Sequence, residues 1–253
     1  MLSGIGDERE IRRHGIPIHH HLPGVGRNYQ DHPLVLGCNW LAPDGMTTPE
    51  PGSLVAFVNS GHSASPPDLH IVFSGFMTAT RHISQRYNYP EGQFAFPGGW
   101  GMGIALLRPK SRGRITLADA RPDSQPIIDA RMLSEPGDRE ALSAAIEMTR
   151  SIGNSSALKR FTTGELSPGP STSEERKAFL HDAIGSYFHP TSTAKMGTDA
   201  SSVVGPDLRV YGTEGLRVAD AAILPQVPRG NTMAPCVAVG EVASKMIKAS
   251  HKI

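Results

Sequence analysis

Apolar residues recur along this chain with two different spacings, and the places where the spacing changes divide it into stretches. Residues 7–14 (DEREIRRH) are polar and helix-forming and are closed by Gly15, which predicts a short surface helix. Ile16, Ile18 and Leu22 then fall on alternate positions and predict a strand ending at Pro23-Gly24. From about Leu34 to Gly113 the apolar runs are short and β-like (LVLGCNWL, SLVAFVN, LHIVFSGF, GMGIALLRP) and are separated by clusters such as SGHSASPPD and FPGGW. That stretch predicts an antiparallel sheet with long excursions, to which Arg114–Leu117 adds a strand.

The period then lengthens. In DREALSAAIEMTRSIG, Leu142, Ala145, Ile146 and Thr149 fall on one helical face, and the pattern stops at Gly153. Thr172-Ser173-Glu174-Glu175 places a hydroxyl cap ahead of early acids and predicts a second helix through Ala183. Further on, LRVYGTEGLRVADAAILP holds two short strand candidates. Thr232–Ala249 carries Val237, Val239, Val242, Met246 and Ile247 in a helical arrangement that ends in lysines.

Composition narrows the function classes. The 253 residues include 25 Lys plus Arg against 24 Asp plus Glu, and the formal charge of +1 supplies no general pull toward nucleic acid or an anionic membrane surface. No window approaches the roughly 18 uninterrupted apolar residues of a spanning helix. The opening residues lack a charged segment followed by an apolar one, so no signal peptide is visible and a cytoplasmic location is expected. Cys38 and Cys236 fit no CxxC or zinc spacing and are expected as unpaired, buried thiols. Asn154-Ser155-Ser156 matches a glycosylation triplet, a pattern that also arises by chance.

Chemistry is best sought where a polar side chain meets a constrained backbone, in Tyr187-Phe188-His189-Pro190 and in Gly230-Asn231-Thr232-Met233-Ala234-Pro235. Pro190 steers His189 away from the helical region, and an imidazole suits proton transfer near neutral pH; a hydrogen-bonded structural histidine fits the same position. Asn231 precedes the last helix and is equally a capping residue, while the amides at that helix start would favour an anion or the pyrimidine edge of a reduced flavin. His19, His20 and His21 cannot all share one strand face and have no accompanying ligand cluster, so no metal is expected. There is no GxSxG elbow. Gly4-Ile5-Gly6 and Gly24-Val25-Gly26 each start a GxG but lack the third glycine of a dinucleotide fingerprint. Phe76, Trp100 and Phe188 suggest an apolar pocket, although aromatic residues in strands are more often core.

Taken in order, LSGIG, GIPI, LPGVGRNYQDHP, LLRPKSRGRITL, PIIDARMLSEPGDREAL, HPTSTAKMG, VVGPDLRVYGTEGLRVADAAILPQVPRGNTMAP and VGEVASKMI resemble the C-terminal portion of the glucose-methanol-choline (GMC) oxidoreductase family. The resemblance implies bound FAD and a small-molecule alcohol that loses a proton to a base and a hydride to the flavin. It implies His189 as the catalytic histidine and Asn231 as the second active-site residue. It further implies Phe188 beside the substrate, and Asp220, Ala221, Asn231, Thr232 and Met233 near the flavin. Ala194 and Lys195 depart from the commoner cysteine and arginine.

Members of this family are roughly twice as long, and the half that carries their GxGxxG turn has no counterpart here. The chain is therefore expected to work with an N-terminal FAD-binding half, in the same gene product or as a separate chain. Two other readings remain: a non-redox FAD-containing relative of the hydroxynitrile-lyase type, and a non-catalytic fragment. The implied fold is mixed α+β and α/β. Residues 1–33 and 190–253 would complete a Rossmann-like FAD domain, and 34–189 would form an antiparallel-sheet substrate domain with flanking helices.

Overall fold

The computed structural model describes residues 1–46, 54–62, 67–80, 83–85 and 95–251. The chain folds as two compact units, one built from residues 1–31, 110–134 and 188–253, the other from 32–109 and 135–187. The excursions expected between residues 40 and 100 fall in large part outside the described residues.

The second unit is an antiparallel sheet backed by helices. Its strands are β3 (Pro33–Leu41), β4 (Val55–Val58), β5 (Leu69–Ser74), β8 (Gly99–Leu106), β11 (Gly164–Ser167) and β12 (Ile184–Ser186). They run in the order β11-β3-β8-β5-β4, with β12 also on β3, while β6 (Met77–Thr78) and β7 (Ala95–Phe96) form a separate pair. A register shift between Val35 and Cys38 bulges β3 at Gly37, whose φ of 85° suits glycine. Across the centre of the sheet Trp40 lies opposite Trp100, and the two rings stack at 4.7 Å.

Helix α2 (Pro136–Gly153) buries Leu142, Ala145, Ile146 and Thr149, the face that the spacing predicts, and packs on β3 and β8. Its C-cap, Asn154, accepts the Trp40 indole N–H at 3.1 Å and donates to Glu165 at 2.7 Å. The Asn-Ser-Ser triplet thus begins with a carboxamide committed on both sides to the fold.

Helix α3 (Ser173–Ala183) starts on a reciprocal cap: Thr172 Oγ1 accepts the Glu175 amide, and Glu175 Oε2 accepts the Thr172 amide at 2.7 Å. Replacing Thr172 by Ala breaks one half of this box, so thermal unfolding should show a loss of about 1 kcal/mol.

The first unit has little regular sheet. The predicted helix near its start is α1 (Glu8–Arg13), capped by Asp7, but the strand expected over residues 16–22 shrinks to β2 (His20–His21), parallel to β1 (Ile5–Gly6). A two-residue pairing satisfies few backbone groups, so Pro17 and its neighbours run as coil. The two candidates in 208–225 make only isolated bridges, Val204 with Val210 and Arg209 with Arg217. A turn at Tyr211–Gly212 and a bend at Glu214–Gly215 leave no room for longer ladders.

The core of this unit gathers Leu22, Val203, Val204, Leu208, Val210, Ile223 and Ala243, with Val239 and Met246 of helix α4 (Met233–His251) packed against it. The other side of α4 leaves Met233, Val237, Val242 and Ile247 exposed. β9 (Arg114–Thr116) and β10 (Ile127–Asp129) also belong here, whereas the apolar pattern places residues 110–134 with the large sheet. The reason is local: Tyr29 and Gly113 exchange backbone hydrogen bonds of 3.1 and 2.9 Å, and the Ile115 amide donates to Gly26 at 2.7 Å.

Cys38 is fully buried and Cys236 partly so, both as free thiols; burial pushes the Cys38 thiol far up in pKa. Among the described residues no helix is long and apolar enough to cross a membrane, and no histidine, cysteine or carboxylate cluster could hold a metal.

Candidate active site

Residues 188–196 thread between two other segments of the first unit. On one side Gln30 and Thr191 exchange backbone hydrogen bonds of 3.2 and 2.8 Å. On the other, the amides of Ser192, Ala194 and Met196 donate to the carbonyls of Ala221, Ala222 and Ile223 at 3.2, 2.9 and 2.7 Å. Polar side chains lock the arrangement. Asn28 Nδ2 donates to the Ser192 and Pro225 carbonyls, and Gln30 donates to Pro225 and accepts the Val227 amide.

Gly24 and Gly26, the second GxG of the chain, serve packing. A Cβ at Gly24 would collide with the Ser201 carbonyl, and one at Gly26 with that of Ile115. The pair brings backbones together.

His189 follows a residue in the left-handed region, Phe188 with φ 60°, and is 8% exposed. Its backbone N–H donates to Asp31 Oδ1 at 3.0 Å, and the Tyr29 hydroxyl donates to Asp31 Oδ2 at 3.3 Å. Burial, joined by the adjacent carboxylate, pushes the Tyr29 pKa up to about 12. For His189 burial outweighs the opposing pull of Asp31 and holds the imidazole below its ordinary 6.5. At neutral pH the ring is therefore neutral, the form that accepts a proton.

Beside this segment lies a cleft of about 350 Å³ lined by Tyr29, Ile115, Pro190, Thr191, Thr193, Asp220, Ala221, Ala222 and Cys236. Asp220 caps the short turn at Ala221–Ile223 by accepting the Ala222 amide at 2.7 Å, and α4 packs on that turn. The Cys236 amide donates to the Thr232 carbonyl, which makes Thr232 the residue that flanks the helix. Asn231 stands one position earlier, exposed, with a carboxamide that makes no hydrogen bond among the described residues, so the capping reading of Asn231 does not hold. Met233 is 73% and Phe188 82% exposed.

The structure thus ties the His189 segment directly to the Asp220–Ala221 turn, and both border the cleft together with Cys236 of α4; Asn231, Thr232, Met233, Phe188 and His189 itself are not among the residues that line it. Trp100 belongs to the core of the sheet, its ring buried and stacked on Trp40 and Phe73. Phe76 borders a separate cleft of about 450 Å³ in the second unit, with Ala42, Pro43, Met46 and Pro97. Lys195 pairs with Asp199 at 2.7 Å, and Ala194 packs on the apolar core, so both departures from the family pattern serve structure.

The fold is that of an oxidoreductase family: a GMC oxidoreductase model matches residues 109–240, and the chain belongs to that family. It is 34% identical over 98% of its length to a GMC-type oxidoreductase of Mycobacterium tuberculosis strain H37Rv, of which it covers 50%. It is 32% identical, again over 98%, to alcohol dehydrogenase (acceptor) of Pseudomonas putida, of which it covers 48%. Among solved structures, pyridoxine 4-oxidase from Mesorbium loti superposes with a TM-score of 0.80 at 25% identity, over 100% of this chain and 48% of that one. The chain spans about half the length of the curated relatives it matches.

Asn28, Gln30 and Asp31 were not legible as site residues from pattern. A polar run such as NYQDH reads as exposed loop, yet residues 30–32 are almost completely buried. The available signal was that run of polar residues without a glycine between Gly26 and Pro33.

Proposed function

We propose that this chain is the C-terminal, catalytic portion of an FAD-dependent alcohol oxidoreductase, which oxidises an alcohol to a carbonyl compound together with an N-terminal FAD-binding half. The observation that carries the reading is His189, a buried imidazole kept neutral, whose neighbours Thr191, Ser192 and Ala194 are held by backbone hydrogen bonds beside the cleft. Ligand pockets run from roughly 300 to 1,000 Å³. The cleft, at about 350 Å³, suits one ring system and not a whole dinucleotide. That agrees with a chain lacking a GxGxxG turn, whose partner half would grip the pyrophosphate.

In this reading Asp220-Ala221 and Asn231-Thr232-Met233 would hold the flavin ring, and bound FAD would supply the hydride acceptor. The first-turn amides of the 19-residue helix α4 favour negative charge at that edge. His189 takes the hydroxyl proton onto its imidazole, and the oxygen left behind makes the adjoining C–H a stronger hydride donor. Asn231 has no basicity; its carboxamide would hold the oxygen in line. Phe188, exposed beside His189, would cover the carbon skeleton of the alcohol.

The test is to produce the chain with its N-terminal half and follow the visible flavin spectrum as alcohol is added without oxygen. Bleaching with carbonyl formation is the expected result. A flavin that stays oxidised while a cyanohydrin is cleaved would assign non-redox chemistry, and a pair that never retains flavin would make the chain a non-catalytic fragment.

A further inference from the structure

We propose that Asp31 is a positioning residue for His189, fixing the backbone that aims the imidazole and supplying the negative charge that the ring meets once it has taken a proton. The inference rests on the reading of His189 as the base.

Both carboxylate oxygens of Asp31 are engaged, Oδ1 by the His189 amide at 3.0 Å and Oδ2 by the Tyr29 hydroxyl at 3.3 Å, and the residue is 4% exposed. Its own place is fixed by the two residues that precede it. Tyr29 is tied through its backbone to Gly113, and Gln30 to Thr191. The carboxylate therefore stands on a clamped segment and holds the residue that follows Phe188, an aromatic residue at φ 60°. A β-carbon in the left-handed region is unfavourable and persists where neighbours hold it there. A hydrogen bond from a backbone amide to an ionised carboxylate is of the stronger, charge-assisted kind.

A carboxylate that only satisfied the amide could be replaced by a carboxamide, since an Asn oxygen accepts the same N–H. What Asn cannot replace is charge. The Asp31 carboxylate raises the affinity of the His189 ring for a proton, against the larger effect of burial. It keeps a desolvated imidazole basic enough to take the proton and stabilises the cation that forms.

The experiment uses the flavin-loaded assembly of chain and N-terminal half, with histidine labelled at Cε1 and the His189 resonance identified by its loss in His189→Ala. Asp31→Asn should lower the titration midpoint of His189 further and reduce kcat by roughly ten- to a hundredfold, with KM within about twofold of the parent. Asp31→Glu should recover part of both. A His189 midpoint that does not move, or one that moves while kcat is unchanged, overturns the proposal. If Asp31→Asn does not fold, Tyr29→Phe decides: with the hydroxyl gone the carboxylate is less neutralised, so the midpoint should rise, and an unmoved midpoint again overturns the proposal. Full turnover in His189→Ala would sink the assignment of the base, while the titrations would still report on the contact with Asp31.

Discussion

His189→Ala should lower alcohol turnover by roughly 10²- to 10⁴-fold, the range that a general base supplies, while the flavin spectrum of the assembled enzyme is kept. The side chain is not what holds the segment together. Its neighbours are fixed by backbone bonds to Gln30 and Ala221, and Asp31 accepts the His189 backbone amide, all of which survive the substitution. Asn231→Ala should cost less, roughly tenfold, since it removes one hydrogen bond to a developing charge, worth about 1.5 kcal/mol.

The pH profile follows from the same geometry. Because burial lowers the folded-state pKa of His189, turnover should be full at neutral pH and fall on the acid side with a midpoint below 6.5. Stability moves in the same direction. The unfolded chain binds the proton first, so the contribution of the neutral ring is intact above the ordinary 6.5 and declines as pH falls from there through the folded-state value. His189→Ala should flatten that segment of a stability-against-pH curve. An acid limb centred above 6.5, or turnover near the parent level in the variant, would refute the assignment.

How far the sequence predicts this molecule depends on whether the information is local. The face of α2 was legible because burial repeats every 3.6 residues, and the start of α3 because Thr172 through Glu175 spell a cap whose partners are three residues apart. His189 and Asn231 were legible only through motif resemblance, since one imidazole before a proline has a structural reading as well. The placement of β9 and β10 with the first unit was not legible, because it depends on Gly26 and Tyr29 meeting residues some ninety positions later through backbone groups that every residue possesses. Asp31 was hidden for a related reason: polar residues in sequence imply solvent, and here the polar groups are buried and satisfied by one another. The strands expected in 208–225 erred oppositely, since apolar positions such as Leu208, Val210 and Val218 mark which side chains face the core and not whether a partner ladder exists.

The second large effect is expected at the Trp40–Gly153 contact. Trp40 is fully buried, stacked at 4.7 Å on Trp100 and anchored through its indole N–H to Asn154, so Trp40→Ala should cost about 3–5 kcal/mol. Gly153 is the last residue of α2, and a Cβ there would fall inside the Trp40 ring. Two effects oppose each other in Gly153→Ala. Helix propensity gains at most about 1 kcal/mol. Against it stands an overlap that a ring clamped by a stack and a hydrogen bond cannot relieve, costing typically 1–3 kcal/mol or more. The clash should win, and Gly153→Ala should destabilise the protein. With Trp40 already replaced by Ala the overlap is gone and only propensity remains, so the same substitution should become neutral or stabilising. The two tryptophans of the chain are both in this stack, which lets intrinsic fluorescence follow the unfolding of this unit directly. A Gly153→Ala effect of the same sign and size in both backgrounds would show that the glycine is not there to admit the indole.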